Sequence, residues 1–319
     1  RRQSLRKDED HRPFDFSKTT SFNYSSEDAE VFGPFAHIRS RLDFEYHGNF
    51  TKARQEVQDK LVAECLSSSS GSESNSPWIL FTCGAMGAGK SFVVQWMRHN
   101  RRLPFSSSVT VDADFFRERL PEWASYVARD PSTAGDLTQA ESGYCVELAQ
   151  EAALEANLNV VVDGSLTDHA WYGKVMRDLR VRHPHYRVAL LCVRASEATA
   201  LSRASLRAAA SGRIVPAHHI RRSHAAVAAA VPRLSHYADV VLVVDNEEGA
   251  APAIASFASS VQDTHTAALR SPPTWASWHG GHGRLKQREA ATWTDLPSAI
   301  LPRVSKPIRA IARLVTAGW

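Results

Sequence analysis

The chain predicts a three-layer α/β/α domain built on a parallel sheet, and three observations lead there. Five short apolar runs recur between residues 78 and 246, with helix-like stretches between all of them. The runs are continuous in Val, Leu and Ile rather than alternating, which is the pattern of strands buried on both faces. The turn after the first run reads Gly84-Ala85-Met86-Gly87-Ala88-Gly89-Lys90-Ser91, placing three glycines and a cation between two core elements.

Residues 1–37 are polar and aromatic without a clear period, so an extended or draped segment is expected. The stretch FTKARQEVQDKLVAECL, Phe50 to Leu66, spaces Ala53, Val57, Leu61 and Cys65 at helical intervals and reads as one amphipathic helix. SSSSGSESNS, Ser67 to Ser76, is a flexible linker by composition. The strands follow as WILFTC (78–83), SVTVDAD (108–114), NVVVDG (159–164), YRVALLCV (186–193) and ADVVLVVDN (238–246). Crossover connections between them make the expected sheet parallel and five-stranded. The organisation is therefore an N-terminal helical extension with its linker over 1–76, an α/β domain over 77–263 and a basic tail over 264–319. No internal repeat is present. The tail is rich in Pro, Trp, His and Arg; its PIRAIARLVTAGW segment has the pattern of a short basic amphipathic helix, and a docking or poorly ordered extension is favoured over membrane binding. HGGH, His279 to His282, lacks a Cys or acid at metal-ligand spacing and is read as loop.

The composition, 43% hydrophobic and 23% charged over 319 residues, is that of a globular protein. No apolar run approaches the ~20 residues of a membrane span. The start, RRQSLRKDEDHRPFDF, is charged and lacks the apolar core of a signal peptide. Cys65, Cys83, Cys145 and Cys192 are scattered without a C-x-x-C pair, so reduced, buried thiols in an intracellular, cytoplasmic setting are expected. The net charge is +4; eight Arg and Lys against two acids beyond Thr266 give the tail +6 and the remainder −2. A basic tail of this kind is a solvated or anion-tethering appendage, and no sequence-specific nucleic acid is expected.

Gly84, Gly89, Lys90 and Ser91 fit G-x-x-x-x-G-K-[ST] between a strand and a helix. Gly-Ala clusters also form strand-to-helix turns without a ligand, but the full spacing points to a phosphate loop. The N–H groups from Gly84 to Ser91 would wrap a nucleotide triphosphate at a helix N-terminus, Lys90 would reach the terminal phosphates, and the Ser91 hydroxyl would ligate Mg²⁺. In an open parallel sheet, ligands sit beyond the carboxyl ends of the strands. Asp112 and Asp114 close the second run, and Asp163-Gly164-Ser165 closes the third. Helix capping accounts for Asp112 equally well. Asp114 and Asp163 together suit phosphoryl transfer, which needs an acceptor-orienting carboxylate and oxygen ligands for a metal. Arg203 and Arg207 lie at i, i+4 in SRASLRAAASGRIVP, and Arg213 follows a Gly-containing turn. Three arginines there suggest a lid that clamps phosphate charge.

The blocks GAMGAGKS, DADFFRERLPEW, TQAESGYCVELAQEAALEANLNVVVDGS and RASLRAAASGRIVP, in this order over roughly residues 77–245, resemble the zeta-toxin group of P-loop kinases. The resemblance implies phosphorylation of the sugar 3′-hydroxyl of UDP-N-acetylglucosamine with ATP or GTP and Mg²⁺. By position it makes Asp114 the base facing the acceptor, with Phe116 and Arg117 beside it, and Glu147 a substrate-binding carboxylate. Asp163 stands where the family usually has Glu, and Ser165 where it has Thr. Ser91 and Asp163 are the implied metal ligands. Arg213 matches the lid arginine, while Arg203 and Arg207 are alternative matches for a second one. The extensions are more like the family's free-standing eukaryotic-type relatives than its compact toxins. The residues do not indicate whether a protein inhibitor or antitoxin partner exists. Two other readings stay open: a kinase of another hydroxyl acceptor (nucleoside, antibiotic, sugar acid or polynucleotide end) and a nucleotide-gated binding module without transfer activity. A degraded kinase would lose Lys90, Asp114 or the lid arginines first, and all are present.

Overall fold

The computed structural model describes residues 13–69, 77–211 and 215–259. The expected tail 264–319 with its basic segment and His279–His282, most of the serine-rich linker, and Arg213 lie outside the described residues. In chain order the longer elements are α1 (Lys52–Leu66), β1 (Trp78–Cys83), α2 (Lys90–His99), β2 (Val109–Asp112), α3 (Ala113–Arg119), α4 (Trp123–Arg129), α5 (Ala134–Glu155), β3 (Val160–Asp163), α6 (His169–Arg182), β4 (Arg187–Arg194), α7 (Glu197–Ser211), α8 (Ala217–Leu234), β5 (Val240–Asp245) and β6 (Ala253–Ser259). Among the described residues two compact units form. One comprises the residues up to Val62 with Ala113–Leu148, and the other comprises Ala63–Asp112 with the residues from Ala149 onward.

The second unit holds the sheet, in the order β2-β3-β1-β4-β5-β6. The five expected strands are parallel, as their apolar runs require. A sixth, β6, pairs antiparallel to β5 and covers its edge. Both faces of β1 are buried. Trp78 and Leu80 pack with Val93, Val94 and Met97 of α2 and with Leu191 and Leu242 of the neighbouring strands. Ile79 and Phe81, on the opposite face by the two-residue period of a strand, are equally buried. There the Phe81 ring meets Tyr172 of α6 edge-on, centroids 6.3 Å apart. Truncating a residue as enclosed as Leu80 to Ala costs about 2–5 kcal/mol. β2 stops at Asp112, two residues earlier than expected: Ala113 opens α3, and Asp114 lies in a first helical turn rather than at a strand end. An acid in that turn is favoured by the helix dipole.

The first unit turns the expected draped N-terminus into structure. One-turn helices form at Thr20–Asn23, Ala36–Arg39 and Phe44–His47, and Ser25–Ser26 pairs antiparallel with Asn49–Phe50. Its centre is a buried ionic cluster. Arg54 of α1 donates to both oxygens of Glu141 at 2.6 and 2.9 Å and to both of Glu122 at 3.1 and 3.0 Å. The Tyr24 hydroxyl also donates to Glu122. Burial opposes the Arg54 charge, yet its bonds to Glu141 and Glu122 outweigh that and hold the guanidinium ionised more firmly than usual. Removing one partner of such a cluster costs about 3–5 kcal/mol. All four cysteines are buried and none is in a disulfide. No helix among the described residues is long and apolar enough to cross a membrane.

Candidate active site

In the second unit the loop from Gly84 to Gly89 leaves the carboxyl end of β1 and enters α2 at Lys90. Gly87 and Gly89 both sit at φ +82°, the left-handed region that favours glycine. A Cβ on Gly87 would lie 2.3 Å from the Ala200 carbonyl oxygen, and one on Gly89 would lie 2.5 Å from Asn246 Nδ2. At Gly87 the packing, as well as φ, therefore excludes a side chain; at Gly89 the φ does so, and a Cβ would also displace the Asn246 amide. The loop is braced from outside itself. Asn246 Nδ2 donates to the Ala88 carbonyl at 2.7 Å. Arg203 Nη1 donates to Ala88 O at 3.3 Å and to Asn246 O at 2.8 Å. The Met86 N–H donates to Ser223 Oγ at 3.1 Å, and the Gly84 N–H to the Ser165 carbonyl at 3.4 Å. What the loop offers an anion is the unsatisfied N–H groups of the first turn of α2 and the positive end of its dipole.

Lys90 folds back over this loop, its Nζ 3.2 Å from Gly84 O and 3.4 Å from Ala85 O. Burial pushes the ammonium below the ordinary lysine range; Asp163, Cys83 and Asp112 pull against that, and Arg207 adds to the lowering. A phosphate anion in the loop would add to the counter-charge that Asp163 and Asp112 already supply. Beside it Ser91 Oγ donates to Asp163 Oδ2 at 2.6 Å, and Thr82 Oγ1 donates to Asp163 Oδ1 at 3.0 Å. Asp112 and Asp163 are register partners on β2 and β3, so two acids end adjacent strands side by side. Among the described residues no three His, Cys, Asp or Glu side chains gather as a metal cage. A hydroxyl with one or two carboxylates is instead the donor set of Mg²⁺ shared with phosphate and water. Ser165 Oγ lies 3.2 Å from Thr167 Oγ1. Between them Leu166 is fully buried at φ +55°, a conformation costing roughly 1–2 kcal/mol in a non-glycine residue.

Of the basic residues, Arg203 is committed to the carbonyls that shape the loop, and Arg207, one turn later on α7, is exposed. In the first unit Arg117 is buried and reaches three ways: Nη1 donates to Asp114 Oδ1, Nε to Thr138 Oγ1 at 3.1 Å, and Nη2 to Gln139 Oε1. It thereby aims the Asp114 carboxylate from one turn away. Phe116, expected at the acceptor, is fully buried and packs edge-on against Phe115. Glu147, on α5, has Oε1 3.0 Å from His47 Nε2.

Lys90, Ser91 and Asp163 are thus brought together. Sequence reasoning missed Thr82, Ser223 and Asn246. The signal for Asn246 is its place directly after the last parallel strand, at the carboxyl ends where polar groups face a ligand.

A family model described as zeta toxin matches residues 62–251. A chain from the PezAT chromosomal toxin–antitoxin system of Streptococcus pneumoniae has the same fold, with a TM-score of 0.53 and 15% identity over 70% of this chain and 86% of that one. The structure of AvrRxo1-ORF1:-ORF2 with ATP is similar at TM-score 0.53 and 15% identity, over 77% of this chain and 80% of the other. Comparison with curated proteins finds no match.

Proposed function

The chain belongs to the zeta-toxin family of P-loop kinases, and from that premise we propose that it transfers the γ-phosphate of ATP to a hydroxyl of a UDP-amino sugar, UDP-N-acetylglucosamine. The observation that carries the reading is the 2.6 Å contact between Ser91 Oγ and Asp163 Oδ2 beside Lys90, a hydroxyl and a carboxylate placed for a phosphate-bound cation. The solved AvrRxo1-ORF1:-ORF2 structure with ATP supports ATP as donor. The acceptor rests on the resemblance carried by Asp114, Glu147, Asp163 and Ser165.

Lys90 and the N–H groups of the first turn of α2 bind and orient the triphosphate. Ser91 and Asp163 would hold Mg²⁺, which when bound neutralises charge on the β- and γ-phosphates. The acceptor oxygen forms a bond to the γ-phosphorus while the bond from that phosphorus to the β–γ bridging oxygen breaks. Asp114 takes the hydroxyl proton, and ADP leaves. Arg207 and Arg213 balance charge on the transferring group, and Arg203 keeps the loop in shape for it. Little covalent chemistry is asked of the protein; positioning and charge do the catalysis.

The test is to incubate the full chain with ATP and Mg²⁺ against UDP-sugars, nucleosides and sugar acids, following phosphomonoesters by phosphorus NMR. A new phosphomonoester on UDP-N-acetylglucosamine is expected. One on a nucleoside or sugar acid instead would replace the acceptor, and ATP binding without transfer to any of them would leave a binding module.

A further inference from the structure

We propose that His47 is a positioning residue for Glu147, so that the segment ahead of the matched family region completes the acceptor site. The inference rests on the reading of Glu147 as an acceptor-binding carboxylate.

His47 is the last residue of the one-turn helix Phe44–His47, which Asp43 caps by accepting from the Tyr46 N–H at 3.1 Å. Gly48 follows at φ +68°, and Asn49–Phe50 then enters the pairing with Ser25–Ser26. Cap, turn and pairing fix where the imidazole stands. Its ring is held between Tyr144, centroids 5.0 Å apart, and Tyr46, centroids 4.8 Å apart. Tyr144 precedes Glu147 by one turn of α5, so the residue that grips the ring lies on the same helical face as the carboxylate. Tyr144 is itself pinned, by Phe50 at 5.1 Å and by the Arg39 guanidinium over its face. Arg39 is in turn paired with Asp59.

The polar end of this assembly points one way. The His47 side chain is 4% exposed, and Nε2 lies 3.0 Å from Glu147 Oε1, whose side chain is 22% exposed. Nε2 is buried, and no aligned hydrogen bond takes it up among the described residues. A buried ring nitrogen beside a partly exposed carboxylate matches a support that sets the carboxylate's orientation while leaving its other oxygen to a ligand. A carboxylate held in this way accepts hydroxyl or amide donors, as a sugar presents them, with less side-chain freedom to lose on binding. The match to the family begins at residue 62, so His47 is a residue that the shared region does not supply.

Two substitutions separate this role from packing. His47→Phe keeps a flat ring between Tyr46 and Tyr144 and removes the nitrogen. His47→Gln gives up the ring but carries an amide N–H near the position of Nε2. With the full chain, saturating ATP and UDP-N-acetylglucosamine as probe, His47→Phe is expected to raise KM for the sugar nucleotide about tenfold, through loss of the polar contact that orients the carboxylate. Its kcat and its KM for ATP should change by less than about twofold, and His47→Gln should recover most of the sugar-nucleotide KM. In a Glu147→Gln background, His47→Phe should add nothing further. A wild-type KM in His47→Phe, with or without damage in His47→Gln, makes the ring a packing element and overturns the inference. Additive losses in the cycle overturn it too. A wild-type chain that neither binds nor phosphorylates UDP-N-acetylglucosamine overturns the acceptor reading, and this inference with it.

Discussion

Asn246 Nδ2 donates to the Ala88 carbonyl at 2.7 Å, so the residue just beyond the last parallel strand grips the loop that leaves the first. The same asparagine offers its own carbonyl to Arg203 at 2.8 Å, and Arg203 returns to Ala88. Loop, strand end and α7 are thereby tied through two carbonyl oxygens.

Replacing Asn246 by Asp sets a carboxylate against the Ala88 carbonyl, acceptor against acceptor. Losing the bond leaves Ala88 O with only the longer 3.3 Å bond from Arg203, at a cost of about 1 kcal/mol, and the facing carboxylate adds repulsion to it. ATP affinity of Asn246→Asp is expected to fall at least tenfold by calorimetric titration, and Asn246→Ala should fall less. Unchanged affinity in both would show that the brace does not shape the loop.

Gly89→Ala tests the same contact from the other side. Its Cβ would stand 2.5 Å from Asn246 Nδ2 at φ +82°. Nucleotide binding should be lost and the melting temperature lowered, since neither backbone nor neighbour can accept the methyl group. A Gly89→Ala protein binding ATP normally would contradict the loop geometry.

The loop and the sheet were legible because their signals are local. A phosphate loop lies within eight consecutive residues, Gly84 to Ser91, and strands buried on both faces declare themselves as unbroken Val and Leu runs. β6, AIASFAS, carries no such run and was not seen. Asp114 was read as a strand end because no Gly or Pro separates Val111 from the helix that opens at Ala113. Arg203 and Arg207 share a helix face by spacing, yet spacing does not tell that Arg203 is occupied by two carbonyls. His47 was invisible for a further reason: its helix is one turn long, and Glu147 lies a hundred residues away along the chain.

Lys90 couples stability to function. Burial holds its ammonium below the ordinary range, so the charged form is a cost in the protein without nucleotide. Lys90→Met should abolish phosphate transfer while keeping or raising the melting temperature, measured with and without ATP. Full transfer by a folded Lys90→Met protein would remove the phosphate-loop assignment.

Acid should destabilise the sheet unit through its histidines. Burial lowers the pKa of His236, and burial also lowers that of His224 against the opposing carboxylates Glu197 and Glu247. A histidine lowered in the folded state favours its neutral form there, so its contribution is present above the unfolded value of about 6.5 and is lost as pH falls through the folded value. The melting temperature should decline from pH 7 towards pH 5. His236→Gln, which cannot take up a proton, should flatten part of that slope. An identical slope in wild type and variant would rule His236 out as a contributor.

Asp114→Asn separates transfer from binding most sharply. The carboxylate lies in the first turn of α3 and accepts from Arg117, whose other donors are anchored on Thr138 and Gln139 of α5. Asparagine preserves size and an acceptor oxygen for Arg117 but cannot take the hydroxyl proton. With Asp114 as base, kcat for transfer should fall about 10²-fold or more, while ATP affinity stays within a small factor. Arg117→Gln keeps the base and loosens its aim, so a smaller loss in kcat is expected, with KM for ATP again little changed. Equal transfer rates in wild type and Asp114→Asn would move the base elsewhere. A loss confined to ATP affinity would make Asp114 a nucleotide contact.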